Sequence, residues 1–234
     1  APGIVPHAWT DREADDGLTQ RMHRAVADGT EHLNPMWSLD KDLYMAPGLH
    51  MNGETYQLED FSVGTGYCVL DDSTSTKKVK GRGTSFFWHQ LLMGDSADNI
   101  KGLPSFSVEH TIAVWPTQAM MKAEDRVKAA RTGTAKKAAL TALRKKVESA
   151  KPKKCGPVAT HEFLERQSTD LEYFIRVRSA YADHYGPGVF EVQAWDGTVE
   201  QRTAGDIMLE NARLLWMQRT PGEDVLDFFK EITS

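Results

Sequence analysis

The sequence predicts an α/β protein, in which a partial parallel sheet with flanking helices over residues 1–83 gives way to a mostly helical region over residues 84–234. Three observations predict it. A stretch with helical spacing runs straight into a short apolar segment, the helix-then-strand order of a layered α/β structure. Residues 43–80 are turn-rich and hold short alternating segments. Beyond Thr84, capping residues and amphipathic spacing recur to the C-terminus.

Taken in order, residues 3–10 read as loop. Asp11 is the expected cap of a helix in which Leu18, Met22, Ala25 and Val26 recur at helical spacing, ending near Gly29. Residues 36–39 are a short apolar run, a buried strand that meets Asp40-Lys41-Asp42 at its end. Pro47-Gly48, Asn52-Gly53 and Asp71-Asp72-Ser73 mark turns, and the alternations at 55–58 and 67–70 predict small strands or hairpin arms. Thr84 or Ser85 caps a helix over 86–93 that stops at Gly94. The basic segment after Pro104 predicts two helical pieces broken at Thr132-Gly133-Thr134. A short helix follows over 157–166. Ser168 or Thr169 caps a longer one to Tyr185, stopped by Gly186, and residues 203–219 and 221–232 predict two further amphipathic helices. No internal repeat is present.

Composition is that of an ordinary globular protein. The 234 residues are 40% hydrophobic, 26% charged and 9% aromatic, which argues against wholesale disorder, collagen-like repeats and coiled-coil-only architectures. No run approaches the ~18–20 apolar residues of a membrane helix, and the N-terminus lacks a signal-peptide pattern. Cys68 and Cys155 lie far apart without a partner motif, which excludes a zinc ribbon or a disulfide framework and fits a reducing compartment. A soluble, cytoplasmic, monomeric protein with no membrane association is the expectation. The first residue is Ala1 rather than Met, so a processed chain or a piece of a longer protein is expected.

Charge is uneven. Between Lys122 and Lys154 stand twelve Lys/Arg against three acids, a local +9, whereas the rest of the chain carries 16 basic and 30 acidic groups, or −14. A polyanion such as DNA would be repelled by the bulk and drawn to the basic segment. The same run reads equally as the solvated face of an Ala- and Lys-rich helix.

Three acidic clusters carry the chemistry. Glu13-Ala14-Asp15-Asp16 opens the first helix, where Glu13 and Asp16 share a face with Asp15 beside them; acids there also complement the helix dipole. In Asp40-Lys41-Asp42 an extended backbone would point both carboxylates to one side at a strand end, and a polar strand exit is the simpler account. The third is Gly94-Asp95-Ser96-Ala97-Asp98-Asn99-Ile100-Lys101-Gly102-Leu103-Pro104, of which a turn between helices explains one acid but not the whole. Carboxylates ~4 Å apart repel by ~4 kcal/mol at an effective dielectric near 20, so a fold that gathers them ionised needs cations. Oxygen-only ligands select Mg²⁺ or Mn²⁺, and two such ions ~3.5–4 Å apart serve in-line phosphodiester hydrolysis. A calcium-loop protein is disfavoured, because neither cluster has the alternating acids, central Gly and terminal Glu of such a loop.

In this order the three clusters resemble the motifs of the 5′-nuclease (flap endonuclease) superfamily, most closely bacteriophage 5′→3′ exonucleases and the 5′-nuclease domain of bacterial DNA polymerase I. That family has a Glu-Ala-Asp-Asp helix start, a Ser-x-Asp-Lys-Asp-Leu strand end, here Ser38 to Leu43, and a Gly-Asp-x-x-Asp-Asn-Ile-x-Gly motif, here from Gly94. The resemblance covers about residues 10–104 and 153–166. It implies a PIN-like nuclease core over 1–83 and a helix-three-turn-helix DNA-binding region over 84–234. It also implies a Mg²⁺-dependent 5′→3′ exonuclease or structure-specific flap endonuclease, phage-encoded and acting in the host cytoplasm. Glu13, Asp15, Asp16 and Asp40 would bind one metal ion, and Asp42, Asp95 and Asp98 would serve or orient the second. Lys101, Gly102, Lys153, Lys154 and Gly156 would meet double-stranded or flap DNA, with a potassium ion held by backbone carbonyls at the same turn. The sequence departs from the family in two places. Residues 105–152 read as an insertion that splits the DNA-gripping motif. The Asp-bearing first strand and the Lys/Arg-bearing arch of the family would precede Ala1, so the chain reads as N-terminally truncated. The alternative function is a non-catalytic module that binds duplex or branched DNA.

Other residues read as structural. His89 and His161 are expected to pack or cap, the stripe Leu209, Ala212, Leu215, Trp216 is core, and Trp9 and Tyr44 are buried rather than base-stacking.

Overall fold

A computed structural model describes residues 8–53, 55–61, 64–194 and 196–234. The loop expected over 3–10 therefore lies mostly outside the described residues. The molecule is mixed α/β with small sheets, one of which contains a parallel pair. Helix α1 spans Ala14–Ala27. Asp11 does not cap it: Glu13 stands at the N-cap without a side-chain bond, and Asp11 pairs with neighbouring Arg12 instead. Strand β1 (Met36–Ser38) runs parallel to β2 (Gly48–Asn52), with Met36 opposite His50, and β3 (Leu58–Phe61) closes the sheet antiparallel to β2. Met22 of α1, Met36 of β1, Leu43 and Ala46 form a small core between helix and sheet.

The alternation expected at 55–58 falls in a turn, and the strand begins only at Leu58. Asn52 causes this. Its side-chain oxygen accepts the Thr55 N–H at 3.0 Å, its backbone pairs with Gln57 and Tyr56, and Tyr56 adopts φ 57°. A second hairpin, β4 (Tyr67–Asp71) with β5 (Lys78–Arg82), leads into α2 (Thr84–Met93). Gly83, at φ 67°, takes the N-cap position expected of Thr84 or Ser85. The Thr84 hydroxyl and the Trp88 indole both donate to Asp170, at 2.5 and 2.8 Å.

Helix α2 is the hub of the larger core, with eight of its ten residues buried. Around it pack α6 (Pro157–Leu164), α7 (Asp170–Tyr185), α8 (Ala204–Leu215) and α9 (Val225–Thr233), and Trp88 stacks on Phe229 at 5.7 Å. Each fully buried large side chain here, such as Phe87, Leu91 or Leu92, contributes about 1.5–3 kcal/mol over its exposed state. The helix starts follow local chemistry: Thr169 and Glu172 form a capping box on α7, Thr203 and Asp206 another on α8, and Asp224 caps α9. Between α7 and α8 lies an unanticipated hairpin, β8 (Phe190–Gln193) with β9 (Val199–Arg202). Its signal was present in the alternation from Phe190 to Gln193 and the Asp196-Gly197 turn.

The basic segment holds three helices rather than two: α3 (Val108–Val114), α4 (Gln118–Ala129) and α5 (Gly133–Glu148). Pro116 forces the extra break, and Thr117 restarts the chain as the N-cap of α4. The segment leaves and rejoins the body at one place. Ser105 and Lys154 are partners in an antiparallel bridge, and the Phe106 N–H donates to the Lys153 carbonyl at 2.8 Å. Helix α3 docks on the body through buried His110, edge-on to Phe163 at 5.2 Å. Helices α4 and α5 instead fold back on each other, and α5 buries none of its residues. Among the described residues no helix is long and apolar enough to cross a membrane.

Candidate metal centre

The first shared feature is a turn. After β1 the chain does not stay extended: Lys41 is helical at φ −67°, ψ −27°, and residues 42–45 form a 3-10 turn. Asp40 drives this fold-back, because its carboxylate accepts the Asp42 N–H at 3.0 Å while its own N–H donates to Ser38 Oγ at 2.9 Å. The expectation that an extended backbone would aim Asp40 and Asp42 to one side is therefore corrected. Asp42 turns inward instead.

The second feature is a short hairpin. Strands β6 (Gly94–Asp95) and β7 (Ile100–Lys101) pair antiparallel directly after α2, where a turn between helices was expected. Gly94 has φ 74°, and Asn99 has φ 57°. The hairpin closes so tightly that a Cβ on Gly102 would lie 2.2 Å from the Gly94 nitrogen, so only glycine fits. This brings Asp95 and Asp98 to Asp42, and one carboxylate oxygen from each of the three lies within 4.8 Å of the others.

Buried Asp95 is held on several sides. Its Oδ1 accepts the Ala97 N–H at 2.9 Å, and its Oδ2 accepts the Gln90 amide at 2.9 Å and pairs with the Lys41 ammonium. The same Gln90 nitrogen donates to Asp42 at 2.8 Å, and the Lys41 ammonium lies 3.2 Å from Asp42. Burial pushes the Asp95 carboxyl up, but the bond from Lys41, the Ala97 N–H and Gln90 together hold it below the ordinary carboxylate range. For Asp42 burial prevails over Gln90 and Lys41 and raises the carboxyl, with the Asp95 charge adding to it. Asp15 is raised as well, by burial first and then by the charges of Asp40, Glu13, Asp16 and Asp42.

Acids from all three clusters thus fall within electrostatic reach of one another through Asp15, Asp40, Asp42 and Asp95. The grouping differs in detail from the expected ligand sets. Asp42, Asp95 and Asp98 meet closely. Glu13 is exposed at the N-cap of α1, and Asp16 gives one oxygen to the Gln218 N–H at 2.9 Å, tying α1 to the C-terminal segment. Lys101 stands opposite Gly94 in the hairpin, Ile100 stands opposite Asp95, and Gly102 lies against the Gly94 backbone. Lys153 is committed elsewhere, 4.2 Å over the Trp115 ring and 3.4 Å from Glu162, while Lys154 is exposed and Gly156 is the N-cap of α6. Gln90 and Lys41 are the participants that sequence reading did not single out. Gln90 sits on an apolar helix and carried no signal; Lys41 stood inside a quoted motif without an assigned role.

The histidines behave as packing residues. His89 is buried with Nδ1 2.7 Å from the Ser85 carbonyl, and burial lowers its pKa to about 4. Cys68 and Cys155 are free thiols, each pushed up to about 12 by burial. No protein-family model, curated protein or solved structure matches the chain.

Proposed function

We propose that the protein is a metal-dependent nuclease of the 5′→3′ exonuclease or flap-endonuclease type, acting on duplex or flap DNA with two Mg²⁺ or Mn²⁺ ions. The observation that carries the reading is the meeting of Asp42, Asp95 and Asp98, whose carboxylate oxygens approach within 4.8 Å although Asp42 comes from a different turn from the hairpin that bears the other two. The donor set is all oxygen and anionic, the chemistry that hard divalent ions select. Asp42, Asp95 and Asp98 would hold one ion, with Asp15 and Asp40 beside it for the second. Such ions, when bound, activate water and neutralise charge on a phosphodiester.

The chain's own residues prepare that site. Lys41, Gln90 and the Ala97 N–H keep Asp95 ionised and fixed, and Gln90 fixes Asp42 in the same gesture. Lys101, Gly102, Lys154 and Gly156 would contact DNA phosphates beside it, with a potassium ion at the turn after Lys101. In this reading residues 1–83 are the later part of a PIN-like core and 84–234 a helix-three-turn-helix region with an insertion.

One observation favours the second reading, a non-catalytic DNA-binding module: the Lys41 ammonium already pairs with both Asp42 and Asp95 and offsets one of their two charges. Cleavage decides between them. A 5′-labelled duplex and a 5′ flap are incubated with Mg²⁺, using this chain and the longer protein that the resemblance implies. Release of short 5′ oligonucleotides, lost in Asp95→Asn, supports the nuclease; binding without cleavage in Mg²⁺ and Mn²⁺ supports the module.

A further inference from the structure

We infer that the α4–α5 hairpin is an arm that grips the phosphate backbone of duplex nucleic acid. The inference takes DNA as its polyanion from the nuclease reading, but its argument is independent of the acidic site.

Residues 118–148 carry nine Lys/Arg and three acids, a net +6, on a chain whose net charge is −5. Among the described residues Arg144 is the one of the nine with an ion-pair partner, Glu148 at 2.8 Å. All nine but Lys146 are exposed. Like charge concentrated on one projection sets up a positive field there that draws a polyanion from solution. The rest of the molecule, at −11 by difference, would repel a polyanion and leave the hairpin as its landing point.

The arrangement suits a backbone rather than a base. Lys122 and Arg126 on α4 and Lys146 on α5 rim a groove of about 650 Å³ whose floor is alanine, so no bulky side chain holds a phosphate strand away. Lys136, Lys137 and Arg144 line the outer face of α5. Residues 118–154 contain no Phe, Trp, Tyr or His, so the arm has no platform on which unstacked single-stranded bases could rest. The hairpin exposes Met121, Leu140 and Val147, but residues 118–148 have no Trp or Phe of the kind that anchors an interfacial helix, and its groove is floored by alanine. Duplex backbone fits what remains. At 1.5 Å per residue α5 is ~24 Å long, enough to follow about seven base pairs.

The placement adds reach to the site already described. Both feet of the segment join at Ser105 and Lys154, and Ser105 follows the hairpin that carries Asp95 and Asp98 by four residues. Duplex held by the arm is therefore anchored through the same stretch of chain that supplies two of the three clustered carboxylates.

The test is salt-dependent binding of a mixed-sequence duplex, followed by fluorescence anisotropy in EDTA between 50 and 200 mM salt, with the 234-residue chain. The variant Lys122→Gln, Arg126→Gln, Lys136→Gln, Lys137→Gln keeps good helix formers at exposed positions, and its thermal midpoint checks that it folds. The expected result is at least a tenfold loss of affinity near 100 mM salt and a log–log salt slope shallower by about 3 to 4, at ~0.9 per lost phosphate contact. An unchanged slope and affinity overturn the arm, as does arm-dependent binding to phosphatidylserine vesicles with none to duplex, or tighter arm-dependent binding to single strands than to duplex. Because EDTA removes the metal, the two readings fail separately. Arm-dependent binding with no cleavage by this chain or the longer protein in Mg²⁺ or Mn²⁺ sinks the nuclease and keeps the arm; cleavage with unaltered binding by the variant does the reverse.

Discussion

The side-chain amide of Gln90 lies 2.9 Å from the Asp95 carboxylate, and its one nitrogen also reaches Asp42 at 2.8 Å. Two acids that repel are thus tied through a shared neutral donor on the core helix. Gln90→Leu removes that donor, leaving buried Asp95 to Lys41 and the Ala97 N–H and half-buried Asp42 to Lys41. The expected cost is about 1–3 kcal/mol of stability, measured by urea unfolding at neutral pH. Divalent-ion affinity, measured by isothermal titration, should fall by about 10–100-fold, the usual effect of losing a group that orients a ligand. A variant as stable and as metal-competent as the parent would show that the amide only fills space.

Lys41 and a divalent ion would compete for the same two acids. Under the metal-binding reading Mg²⁺ raises the thermal midpoint, by up to about 2.7 kcal/mol of added stability at a hundredfold excess over its dissociation constant. Lys41→Met removes the internal competitor and should tighten Mn²⁺ binding, while lowering metal-free stability because Asp95 loses its ion pair. Midpoints insensitive to Mg²⁺ and Mn²⁺ in both proteins would rule out the centre.

Gly102→Ala tests the hairpin that presents Asp95 and Asp98. The new Cβ would fall 2.2 Å from the Gly94 nitrogen and 2.3 Å from the Leu92 carbonyl oxygen, both backbone atoms that cannot turn aside. A loss of about 1–3 kcal/mol or more is expected from forced overpacking, read by chemical denaturation. Gly133→Ala, where a Cβ meets nothing within 4 Å, is the control and should change stability little. Equal stability of both variants would mean that the hairpin is not closed as described.

Acid should destabilise the protein through His89. Its Nδ1–H bonds the Ser85 carbonyl, its Nε2 is buried without a partner, and its pKa falls from 6.5 to about 4. The folded state therefore resists protonation more than the unfolded chain does. Its contribution is fully present above about pH 6.5 and is lost as pH falls towards 4, roughly 3 kcal/mol over the window. Unfolding free energies between pH 7 and pH 4.5 measure it, and His89→Gln should flatten that part of the profile. An identical slope in the variant would assign the acid sensitivity to other groups.

Reading residues in order gave the local structure because local chemistry governs it. Thr169 and Thr203 start their helices through caps that need only the next three residues, and the apolar run at 36–39 holds a strand. The misses have equally local causes: Asn52 turned a predicted strand into a turn, and Pro116 divided a predicted helix.

The amino-acid order alone determined the alternation of helix and strand, the three acidic clusters and the concentration of positive charge between Lys122 and Lys154. Tertiary structure alone decided which acids meet. Lys41 and Asp95 are 54 residues apart, and Asp16 finds its hydrogen bond 202 residues away at Gln218. It also decided that a core glutamine serves two carboxylates, and that Ser105 and Lys154 stand side by side with a charged hairpin between them. The reason is one of range. Caps and turns are settled by interactions a few residues long, whereas the convergence of distant carboxylates depends on how α2 buries its apolar faces, and no local pattern encodes where that packing brings the loops at its ends.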